Sequence, residues 1–287
     1  MGIEDKIILI AGATSGIGLA TARKLAELGA QVNFIARNKK RAEETKKIIE
    51  NLSNNKECRY YLGDLSDQSS LKELTEEIKR DFNRIDVLIN NVGGVFKDFT
   101  LSRDGIEMTM ATNHFSYFFL TLSLLDLLKN APAARVVNVS SDSNLKGKID
   151  FESFTQNKNY FILNAYAQSK LANILFTKYL SKLLAGTHIT VNCLHPGTVK
   201  TSIGKKGTGF LISQAWGLVT KVIGITPEEG AKTSVYLASS PKVEGISGQY
   251  FNQCKPGKYN PVADSESLQE KLWVESLRMT ALDNLEI

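Results

Sequence analysis

The chain has 287 residues, of which 43% are hydrophobic and 23% are charged, as in an ordinary globular protein with a substantial core. Its formal net charge is +5, and its densest basic run, residues 39–41, is followed at once by Glu43 and Glu44. This balance disfavours a nucleic-acid-binding surface but leaves room for a small anionic ligand.

The three cysteines, Cys58, Cys193 and Cys254, are an odd number without metal-ligand spacing. We therefore expect free thiols in a reducing compartment and no metal site. The chain passes from Met1 into a predicted strand without a signal sequence, and no run reaches the roughly 18 apolar residues of a membrane span. We expect a cytoplasmic protein without an integral membrane span.

Short segments rich in β-branched residues alternate with longer segments of helical period. The predicted strands are residues 6–11, 32–36, 85–89, 135–139 and 189–194. Two apolar helix faces are marked by Leu71, Leu74, Ile78 and Phe82, and by Leu171, Ile174, Leu175 and Tyr179. Several strands are apolar on both faces, which is typical of a parallel sheet covered on both sides. The alternation predicts an α/β fold over residues 1–287, with a single-domain, Rossmann-type, doubly wound parallel sheet and helices on both faces.

Residues 204–225 are rich in apolar side chains, among them Phe210, Trp216 and Ile223, and are flanked by glycines. Because the segment follows the carboxyl end of a strand, where such folds bind ligands, we interpret it as a lid over an apolar substrate. An ordinary packed helix and a shallow membrane contact are the alternatives. We also expect a helical tail at about residues 265–282.

The first strand leads directly into a turn that contains Gly12, Gly16 and Gly18, and a helix follows as far as Gly29. Glycines permit a tight turn and close backbone approach to a diphosphate, whose charge lies at the helix N-terminus. The preceding strand, the helix and the second strand give the motif the context of a dinucleotide-binding site.

The end of the second strand indicates which dinucleotide binds. An acidic residue there would accept hydrogen bonds from a ribose 2′-hydroxyl and repel a 2′-phosphate. The chain instead has Arg37, followed by Lys39, Lys40 and Arg41. Since an arginine can pair bidentately with a phosphate, we predict NADP(H) rather than NAD.

Tyr166 and Lys170 are four residues apart, so they share one face of a helix. A phenol titrates near pH ~10, and a neighbouring cation lowers its pKa, which makes tyrosine a usable general acid or base. The spacing alone is close to chance expectation for this composition, so its meaning depends on the surrounding motifs.

These features resemble the short-chain dehydrogenase/reductases over nearly the whole chain. The matching pieces are the spaced glycines, residues 64–65 and 90–93, Asn113, residues 140–141, the Tyr166–Lys170 pair and residues 196–197. Within that family the chain is most similar to the retinol dehydrogenase-like branch, through residues 112–115, 169–176, 195–199 and 248–255 and the tail with Leu272 and Trp273. Two departures are Val92 in place of the usual alanine and the lack of the N-terminal anchor of the branch's membrane enzymes.

The resemblance implies an NADP(H)-dependent alcohol dehydrogenase or carbonyl reductase. Ser141 would hold the substrate oxygen, and Tyr166 would exchange its proton. Lys170 would bind the nicotinamide ribose and lower the pKa of Tyr166, while Asn113 would steady a water that links Lys170 to solvent. The cofactor-binding residues would be Gly12, Thr14, Ser15, Gly16, Ile17, Gly18, Arg37, Asp64, Leu65, Asn91, Tyr166, Lys170, Pro196, Gly197, Val199 and Thr201. Asn90 would shape the cofactor wall, Asp64 would lie at the adenine end, and Thr198 would contact the carboxamide.

Several alternatives stay open at this point. Only one hydroxyl of Ser140 and Ser141 can face the substrate, because adjacent strand residues point to opposite faces; the family alignment favours Ser141. We expect structural roles for His114 and His195. A serine hydrolase is disfavoured, since no Gly-x-Ser-x-Gly elbow occurs.

The apolar 204–225 segment favours a lipophilic substrate of the retinoid, steroid or long-chain aldehyde type. The resemblance suggests a homodimer through the helices that contain Asn113 and Tyr166. Two other functions remain: a cofactor-binding regulator or scaffold with vestigial activity, and an enzyme that reduces an activated carbon–carbon double bond.

Overall fold

The computed structural model describes residues 2–52, 57–197 and 225–283. The strands in these ranges are β1 (Ile7–Ala11), β2 (Gln31–Ala36), β3 (Tyr60–Leu62), β4 (Val87–Asn90), β5 (Ala134–Val139), β6 (Ile189–His195), β7 (Tyr250–Asn252) and β8 (Lys255–Pro256). They form one sheet in the order β3-β2-β1-β4-β5-β6-β7-β8. Neighbouring strands are parallel except for the antiparallel pair β7 and β8. The predicted doubly wound sheet is confirmed, and β3, β7 and β8 are strands that the sequence analysis missed.

Both faces of the sheet are buried, which explains the apolar character of its central strands. Ile8 and Ile10 of β1 lie in one hydrophobic cluster, and Leu9 and Ala11 lie in another. Successive side chains of a strand point to opposite faces, so the two clusters are the two sides of the sheet.

The α-helices in the described ranges are α1 (Gly16–Glu27), α2 (Lys39–Leu52), α3 (Gln68–Asp81), α4 (Met108–Met110), α5 (Ser116–Ser123), α6 (Leu125–Lys129), α7 (Ile162–Leu183), α8 (Pro227–Ser239) and α9 (Glu266–Thr280). A π-helical turn, Ala111–Phe115, joins α4 to α5. Helices α1, α2 and α8 cover one face of the sheet, and α3, α5, α7 and α9 cover the other. None of the helices in the described part of the chain has both the length and the apolar character that a membrane crossing requires.

Helix α9 lies within the range expected for the helical tail and packs against α5 and α7. The Trp273 ring lies 4.9 Å from Phe118, 6.1 Å from Phe176 and 5.1 Å from Tyr179, measured between centroids. The resemblance suggested a homodimer through the helices that contain Asn113, in the π-helical turn just before α5, and Tyr166, in α7. Part of the surface formed by α5 and α7 is therefore covered by the chain's own helix α9.

The segment predicted to form a lid lies, except for Ile225, outside the described residues.

Candidate active site

The turn after β1 favours glycine at three of its positions. Gly12 has a φ of +86° and Gly16 a φ of +55°, both in the left-handed region that favours glycine. A Cβ on Gly18 would lie 2.1 Å from the carbonyl oxygen of Gly12 and 2.5 Å from Nδ2 of Asn91. Nδ2 of Asn91 donates a hydrogen bond of 2.9 Å to that same carbonyl. The turn thus leaves the N-terminus of α1 open to an anionic ligand.

A cleft of about 330 Å³ runs along the carboxyl ends of the strands, where the strand order reverses between β1 and β4. Its lining includes, from the sequence-based set, Gly12, Thr14, Ser15, Gly16, Ile17, Gly18, Arg37, Asp64, Leu65, Asn91, Tyr166, Lys170 and Pro196. Gly197 follows Pro196 directly, whereas Thr198, Val199 and Thr201 lie outside the described residues. The glycine cradle at a helix N-terminus fits a dinucleotide cofactor, and exposed Arg37 lies just beyond β2.

Asn90 does not shape the cofactor wall, contrary to the expectation from the resemblance. Its side chain is buried and donates to Oγ1 of Thr121 at 3.0 Å and to Oδ1 of Asn138, in β5, at 2.8 Å. Asn91, the next residue, points the other way into the cleft. The alternation of side chains along β4 explains the difference, and Asn90 ties the strand to its neighbours instead.

Asn113 lies in the π-helical turn and clamps the glycine-rich loop that follows β4. Its Oδ1 accepts a hydrogen bond from the Gly94 N–H at 2.8 Å, and its Nδ2 donates to the Gly94 carbonyl at 3.0 Å. The same Nδ2 donates to Oγ of Ser169 at 3.0 Å, and Ser169 donates in turn to the Tyr166 carbonyl at 2.8 Å. The Asn113 side chain therefore connects the cleft wall to the helix that carries Tyr166.

The two adjacent serines after β5 have different partners. The Ser140 hydroxyl is buried and donates to the backbone carbonyl of Lys170 at 2.7 Å. The Ser141 side chain instead interacts with Tyr166, an interaction that acts to lower the pKa of the phenol. Ser141 also accepts a hydrogen bond from the Ser143 N–H at 3.2 Å, which begins the 3₁₀ helix Asp142–Lys146. Ser141 is thus the hydroxyl that interacts with Tyr166, whereas Ser140 is the serine of the pair that lines the cleft.

Lys170 is 3% exposed and lies beneath the cleft. Its Nζ donates to the Val139 carbonyl at 3.0 Å and lies 5.6 Å from the centroid of the Tyr166 ring. It also lies 5.8 Å from the ring of Tyr117, on α5. Both contacts are within the range of a weak cation–π interaction.

The pKa values of this pair differ from the sequence-based expectation, in which Lys170 lowers the pKa of Tyr166. The pKa of Tyr166 is raised to about 12: burial is the main cause, the Asp142 carboxylate adds to the rise, and Ser141 opposes it. Burial lowers the pKa of Lys170 to about 7. A lysine that is partly neutral near pH 7 exerts little electrostatic pull on a phenol, so burial prevails for both groups.

His195 lies at the end of β6 and faces Asp142. The backbone N–H of Asp142 donates to Nδ1 of His195 at 3.2 Å, and Nε2 of His195 lies 3.7 Å from Oδ2 of Asp142. Burial lowers the pKa of His195, while Asp142 acts to raise it. The neutral ring therefore carries its proton on Nε2, and His195 supports the backbone next to Ser141.

Sequence reasoning missed two residues of this region, Tyr117 and Ser169. The Tyr117 hydroxyl donates to the Val92 carbonyl at 2.6 Å and so holds the loop after β4 at a second point. Helical spacing was the available signal, because Tyr117 follows Asn113 by four residues and Ser169 follows Tyr166 by three.

The family described as short chain dehydrogenase matches residues 6–208. The chain belongs to this family. Human retinol dehydrogenase 14 is 41% identical over 294 aligned positions, which cover 98% of this chain and 88% of that protein. Mouse retinol dehydrogenase 13 is 35% identical and covers 98% of this chain and 85% of its own length. The chain is thus a short-chain dehydrogenase of the retinol dehydrogenase-like kind, as its motifs indicated.

Solved structures support the same fold. A protein from Mycobacterium paratuberculosis superposes with a TM-score of 0.77 at 28% identity, covering 98% of this chain and 95% of that one. The NADP active-site complex of RhlG from Pseudomonas aeruginosa superposes with a TM-score of 0.68 at 25% identity, covering 87% of this chain and 95% of that one. The oxidoreductase family and its Rossmann-type sheet are therefore established for this chain.

Proposed function

We propose that this short-chain dehydrogenase is an NADP(H)-dependent oxidoreductase that acts on a carbonyl or alcohol of a lipophilic substrate. The observation that carries the proposal is the convergence of Ser141 and Lys170 on Tyr166 at the edge of a glycine-cradled cleft. The bound nicotinamide would supply or accept the hydride. Arg37 supports the phosphate-bearing form of the cofactor, as does the NADP complex of the structural relative.

Within this proposal, Tyr166 is the proton donor when a carbonyl is reduced and the proton acceptor when an alcohol is oxidised. Ser141 donates a hydrogen bond to the substrate oxygen and so stabilises the negative charge that develops there. The high pKa of Tyr166 keeps its proton in place until the substrate oxygen becomes basic enough to take it. Lys170 and Asn113 orient the phenol and the cleft wall, and the remaining predicted cofactor-binding residues hold the dinucleotide.

The substrate class rests on the apolar side of the cleft. Phe96 and Met108 line it together with Tyr166, and Phe161 and Leu163, at the start of α7, are 52% and 50% exposed. The names of the relatives point to retinoids as substrates, and steroids or long-chain aldehydes likewise carry an alcohol or carbonyl group on an apolar skeleton. We place the reaction in the cytoplasm, since all three cysteines are free thiols.

The experiment that tests this function is a screen of NADPH oxidation over lipophilic aldehydes and ketones, with Tyr166→Phe as the test variant. We expect kcat to fall by about three orders of magnitude with cofactor affinity nearly intact. Tyr259→Phe is the matched control, because the Tyr259 ring also has a lysine over it, with Nζ of Lys178 at 4.4 Å from its centroid, but Tyr259 lies outside the cleft lining. Near-native turnover in Tyr166→Phe would contradict the assignment, and no turnover by the native protein would favour a cofactor-binding scaffold.

A further inference from the structure

A chain of buried side chains connects helix α9 to the residue that clamps the cleft wall. It consists of Ser276, His114, Asn173 and Asn113, and each of these residues is 0% exposed. Ser276 and His114 are 162 positions apart in sequence, so only the fold brings them together. Burying such a polar chain costs free energy unless each of its donors and acceptors has a hydrogen-bond partner.

The contact nearest the cleft fixes the orientation of the Asn173 amide. Its Nδ2 donates to the backbone carbonyl of Asn113 at 2.9 Å, and a carbonyl can only accept. Asn113 lies in the π-helical turn Ala111–Phe115, and π-helical turns of this kind occur frequently at functional sites. Asn173 thus holds the backbone of the residue whose side chain clamps Gly94.

The orientation of Asn173 in turn fixes the proton of His114. Oδ1 of Asn173 lies 3.2 Å from Nδ1 of His114, and an amide oxygen can only accept, so Nδ1 must carry a hydrogen. The ring is packed among aromatic side chains, with Phe115 at 5.1 Å and Phe176 at 6.2 Å between centroids. Burial lowers the pKa of His114 to about 4, so the ring is neutral at pH 7 and Nε2 carries no hydrogen.

The last contact brings in the C-terminal helix. Oγ of Ser276 lies 3.1 Å from Nε2 of His114 and 2.7 Å from the Leu272 carbonyl within its own helix. Its one hydrogen can go to either acceptor. Because Nε2 is bare and sealed from water, the Ser276 hydroxyl is the donor that can satisfy it among the contacts the structure shows.

We propose that Ser276, His114 and Asn173 are positioning residues for the reaction. The hydrogen bonds run in one direction: Ser276 donates to His114, His114 to Asn173, and Asn173 to Asn113. Helix α9 thereby holds the π-helical turn from which Asn113 contacts Gly94 and Ser169. The C-terminal helix is in this way part of the active-site support as well as of the core. The effect on turnover rests on the proposed function, whereas the direction of the hydrogen bonds does not.

The first test needs no measurement of activity. Nitrogen-15 NMR of the full-length protein distinguishes the two neutral tautomers of each histidine, and His188→Gln and His114→Gln serve to assign the three signals. We expect His114 to carry its proton on Nδ1 at pH 7. A proton on Nε2, or a doubly protonated ring, would overturn the proposed direction of the chain.

The second test compares two buried hydroxyls on α9. Ser276→Ala and Thr280→Ala each delete a buried hydroxyl whose oxygen lies 2.7 Å and 2.6 Å, respectively, from a carbonyl four residues earlier in the helix. Of the two, Ser276 is the one that contacts His114. We expect similar losses in Tm but a fall of about tenfold in kcat for Ser276→Ala only, with KM for NADPH unchanged, because the bound geometry and not the binding surface is altered.

A third measurement separates failure of this inference from failure of the proposed function. The Gly94 N–H donates to Oδ1 of Asn113, so its hydrogen-exchange rate reports on the clamp without any substrate. We expect faster exchange at Gly94 in Ser276→Ala and Asn173→Ala than in Thr280→Ala. If the protein turns over no carbonyl but Gly94 responds in this way, the proposed function fails and the positioning chain stands. Equal exchange and equal kcat in Ser276→Ala and Thr280→Ala would overturn the positioning role.

Discussion

Nζ of Lys170 lies 5.6 Å from the centroid of the Tyr166 ring and donates its hydrogen bond to the Val139 carbonyl, 3.0 Å away. The lysine therefore supports the strand end beneath the phenol and forms no ion pair with any residue that the structure describes. Because Lys170 is 3% exposed, its charge is held in the interior at a cost in folding free energy. The burial of Lys170 beside Tyr166 is thus a place where the fold accepts a loss of stability.

This cost predicts that Lys170→Met stabilises the fold while it removes activity. The folded pKa of Lys170 is lowered from 10.5 to about 7, so below pH 7 the charge must be buried and the full penalty applies. Between pH 7 and 10.5 the unfolded chain binds more protons than the folded one, and the native protein gains stability as pH rises. We expect Lys170→Met to unfold at a higher urea concentration than the native protein, with a free energy of unfolding larger by about 4 kcal/mol at pH 7, and the difference to shrink towards pH 10.

Lys178, two turns further along α7, provides the matched control. Burial acts to lower its pKa, but hydrogen bonds to Tyr259 and Asp264 outweigh this, so its pKa is raised. A lysine with a raised folded pKa contributes stability at neutral pH that is lost as pH rises through that pKa. We therefore expect Lys178→Met to destabilise the protein at pH 7. If Lys170→Met were less stable than the native protein, burial of Lys170 would not cost folding free energy, and the prediction would be wrong.

A second prediction concerns Asp142, whose carboxylate raises the pKa of Tyr166. In the proposed function, alcohol oxidation needs the Tyr166 phenolate, so we expect its rate to rise with pH towards the pKa of Tyr166. Asp142→Asn removes the negative charge but keeps Oδ1 as an acceptor for the Ser141 hydroxyl, 3.2 Å away. We expect the rising limb of the pH–rate profile to move to lower pH by less than about one unit, since the Asp142 side chain is 60% exposed and its charge is screened.

The control for this prediction is Asp126→Asn. Asp126 is similarly exposed at 57%, but it pairs with Lys79 and does not contribute to the pKa of Tyr166. Its pH–rate profile should coincide with that of the native protein. A shift of the Asp142→Asn limb to higher pH would contradict the electrostatic coupling.

The sequence predicted the central part of the sheet because β1, β2, β4, β5 and β6 are long enough to show their apolar, β-branched character. Strands β3 and β7 have three residues each and β8 has two, too few for any periodicity to emerge. These short strands pair because the strands next to them present unpaired backbone N–H and C=O groups at the edge of the sheet.

The sequence likewise predicted only part of the candidate site. Motif order and spacing predicted which residues line the cleft, since Gly12, Gly18 and Arg37 are positioned by the elements that flank them. The burial of each residue and its contacts with residues distant in the chain could not be predicted from the sequence. Lys170 has a lowered pKa because the fold buries it beside Tyr117 and Val139, and His114 meets Ser276 from the far end of the chain.

A third prediction concerns cofactor choice. Arg37 is exposed at the carboxyl end of β2 and lines the cleft. Arg37→Asp should raise KM for NADPH by at least about tenfold, because a charge-assisted bidentate pair is lost and a repulsion is added, while KM for NADH changes less. Lys40→Asp makes the same charge change outside the cleft lining and should leave the ratio of the two KM values unchanged. A native preference for NADH would contradict the prediction.

The last prediction concerns the anchoring of α9. Trp273 is 7% exposed and packs against Phe118, Phe176 and Tyr179, so its removal leaves a cavity between α9 and α7 that the surrounding rings cannot fill. Trp273→Ala should lower the free energy of unfolding by about 3–5 kcal/mol in urea titrations. Val274→Ala, on the next residue of the same helix, should change it little, since Val274 is 59% exposed. If both variants unfolded at the same urea concentration, α9 would not be an integral part of the core, and the face of α5 and α7 would be free for a homodimer.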